Sequence, residues 1–247
     1  MAAVARELAG SFRVLEPWQR GSGAQPLTVG QHIADLHEVV QAHCPGERPA
    51  LVGSSWGAML ALAYAAAYPA HAAALALIGC GTFDLASRRH MRWTIAQRIR
   101  PTMRDRMKQV SEEIADADER MKALGELIDP VYSYEPLPED GSQCAFDARS
   151  LEDTWADMER LQAEGVYPAA FSSIRVPVLM LHGAYDPHPG RMIHASLQPH
   201  LPQLEYMEWK KCGHYPWRER YAREEFFTVL REWLRRHGAG RVTQLDR

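Results

Sequence analysis

The segment from Pro49 to Tyr68 constrains the fold of this 247-residue chain more than any other. Pro49-Ala50-Leu51-Val52-Gly53 is a short apolar run bounded by turn formers, the pattern of a strand buried on both faces. It leads into Gly53-Ser54-Ser55-Trp56-Gly57, and from Trp56 to Tyr68 the residues are rich in Ala and Leu, with Pro69 as the stop. A G-x-S-x-G sequence between a strand and a helix is the setting in which a sharp, strained turn lifts a serine hydroxyl above a sheet edge. Both flanking glycines are expected to be required, because side chains there would meet the neighbouring strand and helix. A tight turn with no chemistry would leave the same pattern, so partners for Ser55 must be sought elsewhere.

The rest of the chain repeats the same alternation. Ala74 to Gly79 and Val176 to Leu181 read as buried strands, and Leu204 to Trp209 alternates as a strand at or near a sheet edge. Helical spacing covers 28–43, with Thr28 as its cap, then 189–198 and 217–236. Near the start, a brief helix over 3–9 precedes an expected first strand, Phe12 to Glu16, and a turn at Arg20-Gly21-Ser22-Gly23. Strand–helix alternation predicts an α/β fold, a mostly parallel sheet with helices on both faces. Residues 84–125 break it, being rich in Arg, Met, Glu and Asp at helical spacing. Residues 130–147, with Pro130, Pro136, Pro138 and Gly141, read as a loop, and 148–165 as a further helix. The chain therefore divides into a core part over 1–82, a helical lid insertion over 83–172, and a second core part over 173–247.

Charge excludes several partners. The net charge is −3, from 28 Lys plus Arg against 31 Asp plus Glu, so no basic field supports binding to nucleic acid or an anionic membrane. The apolar run from Met59 to Ala67 is too short to span a bilayer. Cys44, Cys80, Cys144 and Cys212 lack C-x-x-C spacing, which points away from a disulfide framework and towards a reducing, cytoplasmic setting. The opening Met1-Ala2-Ala3-Val4-Ala5-Arg6-Glu7 is too polar for a signal peptide. The expected partner is a small molecule.

A serine hydroxyl needs a base within hydrogen-bond reach, and the base needs an orienting carboxylate. In the order Ser, acid, His, the acid and base follow later strands. Asp186 stands in the loop after Val176 to Leu181, and His214 follows Leu204 to Trp209. Parallel strands share their carboxyl ends, so Ser55, Asp186 and His214 are expected at one edge. Among the other histidines, His182 at a strand end reads as a packed structural residue and His188 as solvated or lining the entrance. His32, His37, His43, His71 and His237 read as surface residues on helix faces or ends. A metal site would need His182, His188 and His194, six apart, or the C-x-H of Cys212 and His214; neither matches ligand spacing. No cofactor motif is present, and no metal or cofactor is expected.

These residues carry a resemblance. Leu51 to Tyr64, Pro177 to Asp186, Gly213-His214 and the Arg20-Gly21-Ser22-Gly23 turn together make the chain resemble the α/β-hydrolases, most of all the proline iminopeptidase-like branch. The resemblance implies Ser55 as nucleophile, Asp186 as acid, His214 as base, and the backbone N–H of Trp56 as one oxyanion donor. One departure stands out. The family begins with further strands and a His-Gly loop that supplies a second donor, and this chain starts too late to contain them. On that reading, a gap would lie between the Phe12 strand and the strand ahead of Ser55. Unpaired backbone groups there would favour low stability or association through the incomplete sheet.

Three functions follow as expectations. The first is a serine hydrolase acting on an ester or amide of a small substrate, aminopeptidase-like or carboxylesterase-like. The second is a weakly active or inactive hydrolase-fold binding protein, because losing one oxyanion donor costs about 10²–10³ in turnover. The third is acyl transfer, which differs only in the acceptor; carbon–halogen cleavage on related folds uses a carboxylate where this chain has Ser55. Apolar lid residues (Trp93, Ile95, Ile99, Tyr132, Tyr134, Phe146, Trp155) are expected to line a pocket or pack the lid down. The acids Glu112, Glu113, Asp116 and Glu119 either bind a substrate amine or form a solvated helix face.

Overall fold

The computed structural model describes residues 1–138 and 146–238. Gly141, Cys144 and residues 239–247 lie outside the described residues. The sheet contains β1 (Ala50–Ser54), β2 (Ala74–Ile78), β3 (Val178–Gly183) and β4 (Leu204–Trp209), in that spatial order and all parallel. Register aligns Ser54 with Ile78, Ile78 with Leu181, and Leu181 with Met207. Strands β1 and β2 end at this row and β3 and β4 run two residues further, to Gly183 and Trp209, so all four strands leave the sheet at one edge.

Period-two alternation sorts β2 between two cores. Ala74, Ala76 and Ile78 face one side with Leu179 and Leu181, against α1 (Ala2–Ala9) and α9 (Arg223–His237) through Val4, Leu8, Phe226, Leu230 and Trp233. Leu75 and Leu77 face the other side with Val178 and Met180. There they meet α2 (Val29–His43), α3 (Trp56–Ala67) and α8 (Gly190–Leu197). Each fully buried large apolar side chain contributes about 1.5–3 kcal/mol. Helix α3 is buried from Ala58 to Ala65, which is why its sequence is apolar all round. Thr28 caps α2 as expected, accepting the N–H of Gln31.

Between β2 and β3 run α4 (Leu85–Arg98), α5 (Pro101–Glu113), α6 (Ala117–Tyr132) and α7 (Ala148–Ala163), then a 3₁₀ turn over Ala169–Ser173. Helix α6 extends through Pro130 to Tyr132, where a loop was expected. Pro130 sits in its last turn, close to where the helix ends. The expected helix over 217–236 is divided: a 3₁₀ turn at Pro216–Arg218 precedes α9, which starts at Arg223.

No strand forms at Phe12–Glu16. Phe12 and Val14 pack on the α1/α9 core, Leu15 stays exposed, and Arg13 donates to the carbonyl of His43. Alternation there is satisfied by packing on helices and not by a ladder. The Arg20-Gly21-Ser22-Gly23 segment is irregular chain. Among the described residues, β1 is thus an outer strand, and the Phe12 strand that would bound the expected gap does not form. Ser55 N–H donates to the Ile78 carbonyl at 2.8 Å, so by alternation Leu51 and Gly53 also face β2, while Ala50, Val52 and Ser54 face away from the ladder.

Candidate active site

Ser55 follows β1 and caps α3 with φ 53° and ψ −115°, the one non-glycine residue of positive φ among those described. Its carbonyl accepts the N–H groups of Ala58 and Met59 at 3.1 and 3.3 Å, which starts the helix. A Cβ on Gly53 would collide with the carbonyl of Gly57, so the first glycine of the motif is sterically required. A Cβ on Gly57 would meet nothing within 4 Å. The expectation that both glycines avoid a clash holds for Gly53 only. Trp56 is the first residue of α3, and the N–H at that position has no acceptor within the helix. It stands at the positive end of the helix dipole. The Trp56 indole N–H donates to Gln19 Oε1 at 3.0 Å, and its ring meets His32 and Trp155 edge-on at 5.6 and 6.3 Å.

Asp186 lies in the loop after β3, and its carboxylate is fully buried. His214 Nδ1–H donates to Oδ2 at 2.6 Å. His188 donates twice to Oδ1, from its backbone N–H at 2.9 Å and from Nδ1–H at 3.0 Å. His182 Nε2 lies 3.2 Å from Oδ2 and donates to the His188 carbonyl at 2.9 Å. The buried Nδ1 of His182 has no hydrogen-bond partner among the described residues, which fits the tautomer protonated on Nε2. Burial by itself would raise the pKa of Asp186, but the fields of His214, His188 and His182 outweigh it and hold the carboxyl well below the usual range. Burial pushes His188 down despite the pull of Asp186. For His182, burial acts downward but the field and hydrogen bond of Asp186 prevail, and its pKa is raised.

His214 is buried just after β4, and its N–H donates to the Tyr132 carbonyl at 2.8 Å. Its ring packs on the backbone of Gly79, where φ is +54° and a Cβ would stand 3.0 Å from Nδ1. Gly79 is the residue after Ile78, whose carbonyl holds the N–H of Ser55. Ser55 and His214 therefore flank the same point of the sheet edge. Asp186 and His214 are bonded to each other; among the described residues, no hydrogen bond joins the Ser55 hydroxyl to the His214 ring.

Other contacts at the site differ from the expectations or have none behind them. His188, expected to be solvated or at an entrance, is buried, and its ring stacks on His214 at 4.8 Å with 22° between planes. The ring of Tyr132 meets His214 edge-on at 5.5 Å, and burial pushes its hydroxyl up to about 12. Arg98 Nη1 donates to the carbonyls of Val131 at 2.8 Å and Tyr185 at 2.7 Å, with its guanidinium 3.7 Å over the Tyr185 ring. The signal for His188 lay in Asp186-Pro187-His188, because an Asp side chain commonly accepts the N–H two residues on. Tyr132 is among the aromatic residues of the insertion expected to line a pocket or pack it down, but its contact with His214 has no sequence signal, and nothing in the sequence marks Arg98, since both contacts depend on how distant segments pair.

Of the other expectations, His32 is buried and bonded through Nε2 to the Thr154 hydroxyl at 2.9 Å, because α2 packs on α7 and not on solvent. Trp93, Tyr134 and Phe146 are exposed. Glu112 and Glu113 are exposed beside Lys108 and Arg106, and Asp116 caps α6. His194 stacks on Tyr206 and does not join His182 and His188. Asp186, His188 and His214 bring potential metal-binding atoms within 4.8 Å of one another, but their short contacts are already made as hydrogen bonds. Among the described residues, no helix is long and apolar enough to cross a membrane.

The comparisons agree with this architecture. A thermophilic esterase from Thermogutta terrifontis superposes with a TM-score of 0.61 at 20% identity, covering 95% of this chain and 84% of that one. The structure of VinJ gives 0.60 at 17% identity, covering 89% and 79%. A proline iminopeptidase of Mycobacterium smegmatis gives 0.53 at 18% identity, covering 85% and 72%. Among curated proteins, none matches the sequence. At these identities the structural likeness speaks to fold. The sequence also fits the model of the alpha/beta hydrolase fold over residues 4–219, and the chain belongs to that family.

Proposed function

We propose that the protein is a serine hydrolase that cleaves an ester or amide of a small substrate through an acyl-enzyme. The observation that carries this reading is the strained Ser55 turn bonded to the Ile78 carbonyl, beside the Gly79 backbone on which packs an imidazole bonded at 2.6 Å to a buried carboxylate. His214 Nε2 takes the Ser55 proton as Oγ attacks the carbonyl carbon. Asp186 holds the ring in the tautomer protonated on Nδ1 and stabilises the imidazolium. The N–H of Trp56 faces the developing oxyanion, a kind of contact worth about 10²–10³ in turnover. His214 then gives its proton to the departing alcohol or amine, and water, deprotonated by the same base, releases the acid. Residues 83–172 act as a lid that limits substrate size. The neighbouring esterase and proline iminopeptidase structures make short-chain esters and N-terminal prolyl amides the first substrates to try, and the compartment we infer is the cytoplasm.

Reaction with a fluorophosphonate probe tests the proposal. Wild type is expected to be labelled and to release nitrophenol from a short-chain p-nitrophenyl ester, and Ser55→Ala to do neither. Equal labelling of Ser55→Ala would sink the assignment. The absence of a Ser55–His214 hydrogen bond favours a second reading, a hydrolase-fold protein that binds a ligand with little turnover. Folded wild type that resists the probe would decide for it.

A further inference from the structure

Glu219 is 1% exposed and stands outside the proposed triad. Its Oε1 accepts the N–H of Gly213 at 2.9 Å and of Tyr134 at 2.8 Å, and its Oε2 accepts the N–H of Glu135 at 2.8 Å. The donors come from two segments far apart in sequence: the residue before His214, and the chain leaving α6. The same segments are joined by further backbone bonds. His214 N–H donates to Tyr132 O at 2.8 Å, Leu137 N–H to Arg218 O at 2.6 Å, and Arg220 N–H to Glu135 O at 3.1 Å. A Cβ on Gly213 would collide with the Tyr132 carbonyl, so the contact leaves no room for a side chain. A carboxylate buried at this cost, with three backbone donors, fixes the two segments as one unit.

Resting on the hydrolase reading and deepening it, we propose that Glu219 is the positioning residue of the general base: it ties the segment leaving α6, inside the helical insertion, to the His214 loop, so the insertion and the base are held in one register. Both carboxylate oxygens of Glu219 are taken by backbone N–H groups. Its effect passes through Gly213 to the direction of the His214 ring, and it should therefore act on kcat more than on KM.

Glu219→Gln keeps the shape but turns one oxygen into a donor that must face a backbone N–H. Two readouts apply. One is steady-state hydrolysis of the p-nitrophenyl ester. The other is the downfield proton resonance of His214 Nδ1–H, recorded in wild type and in a Ser55→Ala background. Glu219→Gln is expected to lower kcat about 10–100-fold with little change in KM, the scale of a misplaced catalytic group, and to shift or broaden the resonance. Glu135→Pro, which removes one donor from the insertion side, should move the resonance in the same sense. Glu135→Ala, which keeps that N–H, should not. A folded Glu219→Gln with wild-type kcat and resonance overturns the proposal. If Glu219→Gln does not fold, identical resonances in Glu135→Pro and Glu135→Ala overturn it instead. The resonance does not require turnover, so an inactive wild type would sink the hydrolase reading, while the resonance would still decide the positioning role.

Discussion

The rings of His188 and His214 stack 4.8 Å apart, and each donates through Nδ1 to a different oxygen of Asp186. One carboxylate thus orients two imidazoles, and with His182 it is in contact with three. Such an acid cannot be exchanged for a neutral amide without leaving several donors short.

Asp186→Asn is the direct consequence. An amide cannot accept from every one of these donors, and it favours the wrong His214 tautomer. The expected loss in kcat is about 10⁴-fold, measured on the nitrophenyl ester. A loss of less than tenfold would show that Asp186 is not the orienting acid.

Ser55 holds a positive φ that a side chain tolerates poorly. Ser55→Gly relieves this and Ser55→Ala does not, so the glycine variant is expected to be more stable by about 1 kcal/mol. Urea denaturation of the two variants gives the comparison. Equal midpoints would show that the turn carries no strain.

The motif glycines should separate in the same assay. Gly53→Ala places a methyl against the Gly57 carbonyl and is expected to cost at least about 1–3 kcal/mol. Gly57→Ala meets nothing and lies in a helix, where Ala is favoured over Gly by up to about 1 kcal/mol.

Arg98→Met removes both hydrogen bonds that fasten the carbonyls of Tyr185 and Val131 and the stacking on Tyr185. Because Tyr185 precedes Asp186, kcat is expected to fall about tenfold, with cooperative unfolding retained. An unchanged kcat would show that the acid's loop holds its place without the arginine.

His32 gives a pH test. Burial lowers its pKa in the folded chain, so below the ordinary histidine value of about 6.5 the unfolded state binds more protons. That part of the stability is present above this value and is lost as pH falls through it towards the folded pKa. The melting temperature is expected to decline from pH 7 to 5, and His32→Gln, which can still bond Thr154, to decline less. Parallel curves would refute the assignment.

What the sequence reveals and what it hides differ for a physical reason. Ser55, Asp186 and His214 each follow a strand of one parallel sheet, although β1 and β4 are only partly buried, and a parallel sheet brings the ends of its strands to one side whatever else the chain does. Alternation at Phe12–Glu16 is ambiguous, because a half-buried segment alternates whether it pairs with a strand or lies on helices. His188 reads from the sequence as solvated or lining the entrance; its burial comes from the Asp186 turn, which the chain around it does not announce. Glu219 could not be read at all, since a carboxylate that serves backbone amides leaves no complementary charge to find.

The outer place of β1 has a consequence for how the protein loses activity. Among the described residues, the strand ahead of the serine is paired on one flank alone, by the rungs to β2, so mild destabilisation that frays this margin would slacken the hydroxyl while both cores remain folded. Inactivation would then precede bulk melting, with the fault beginning at the rim.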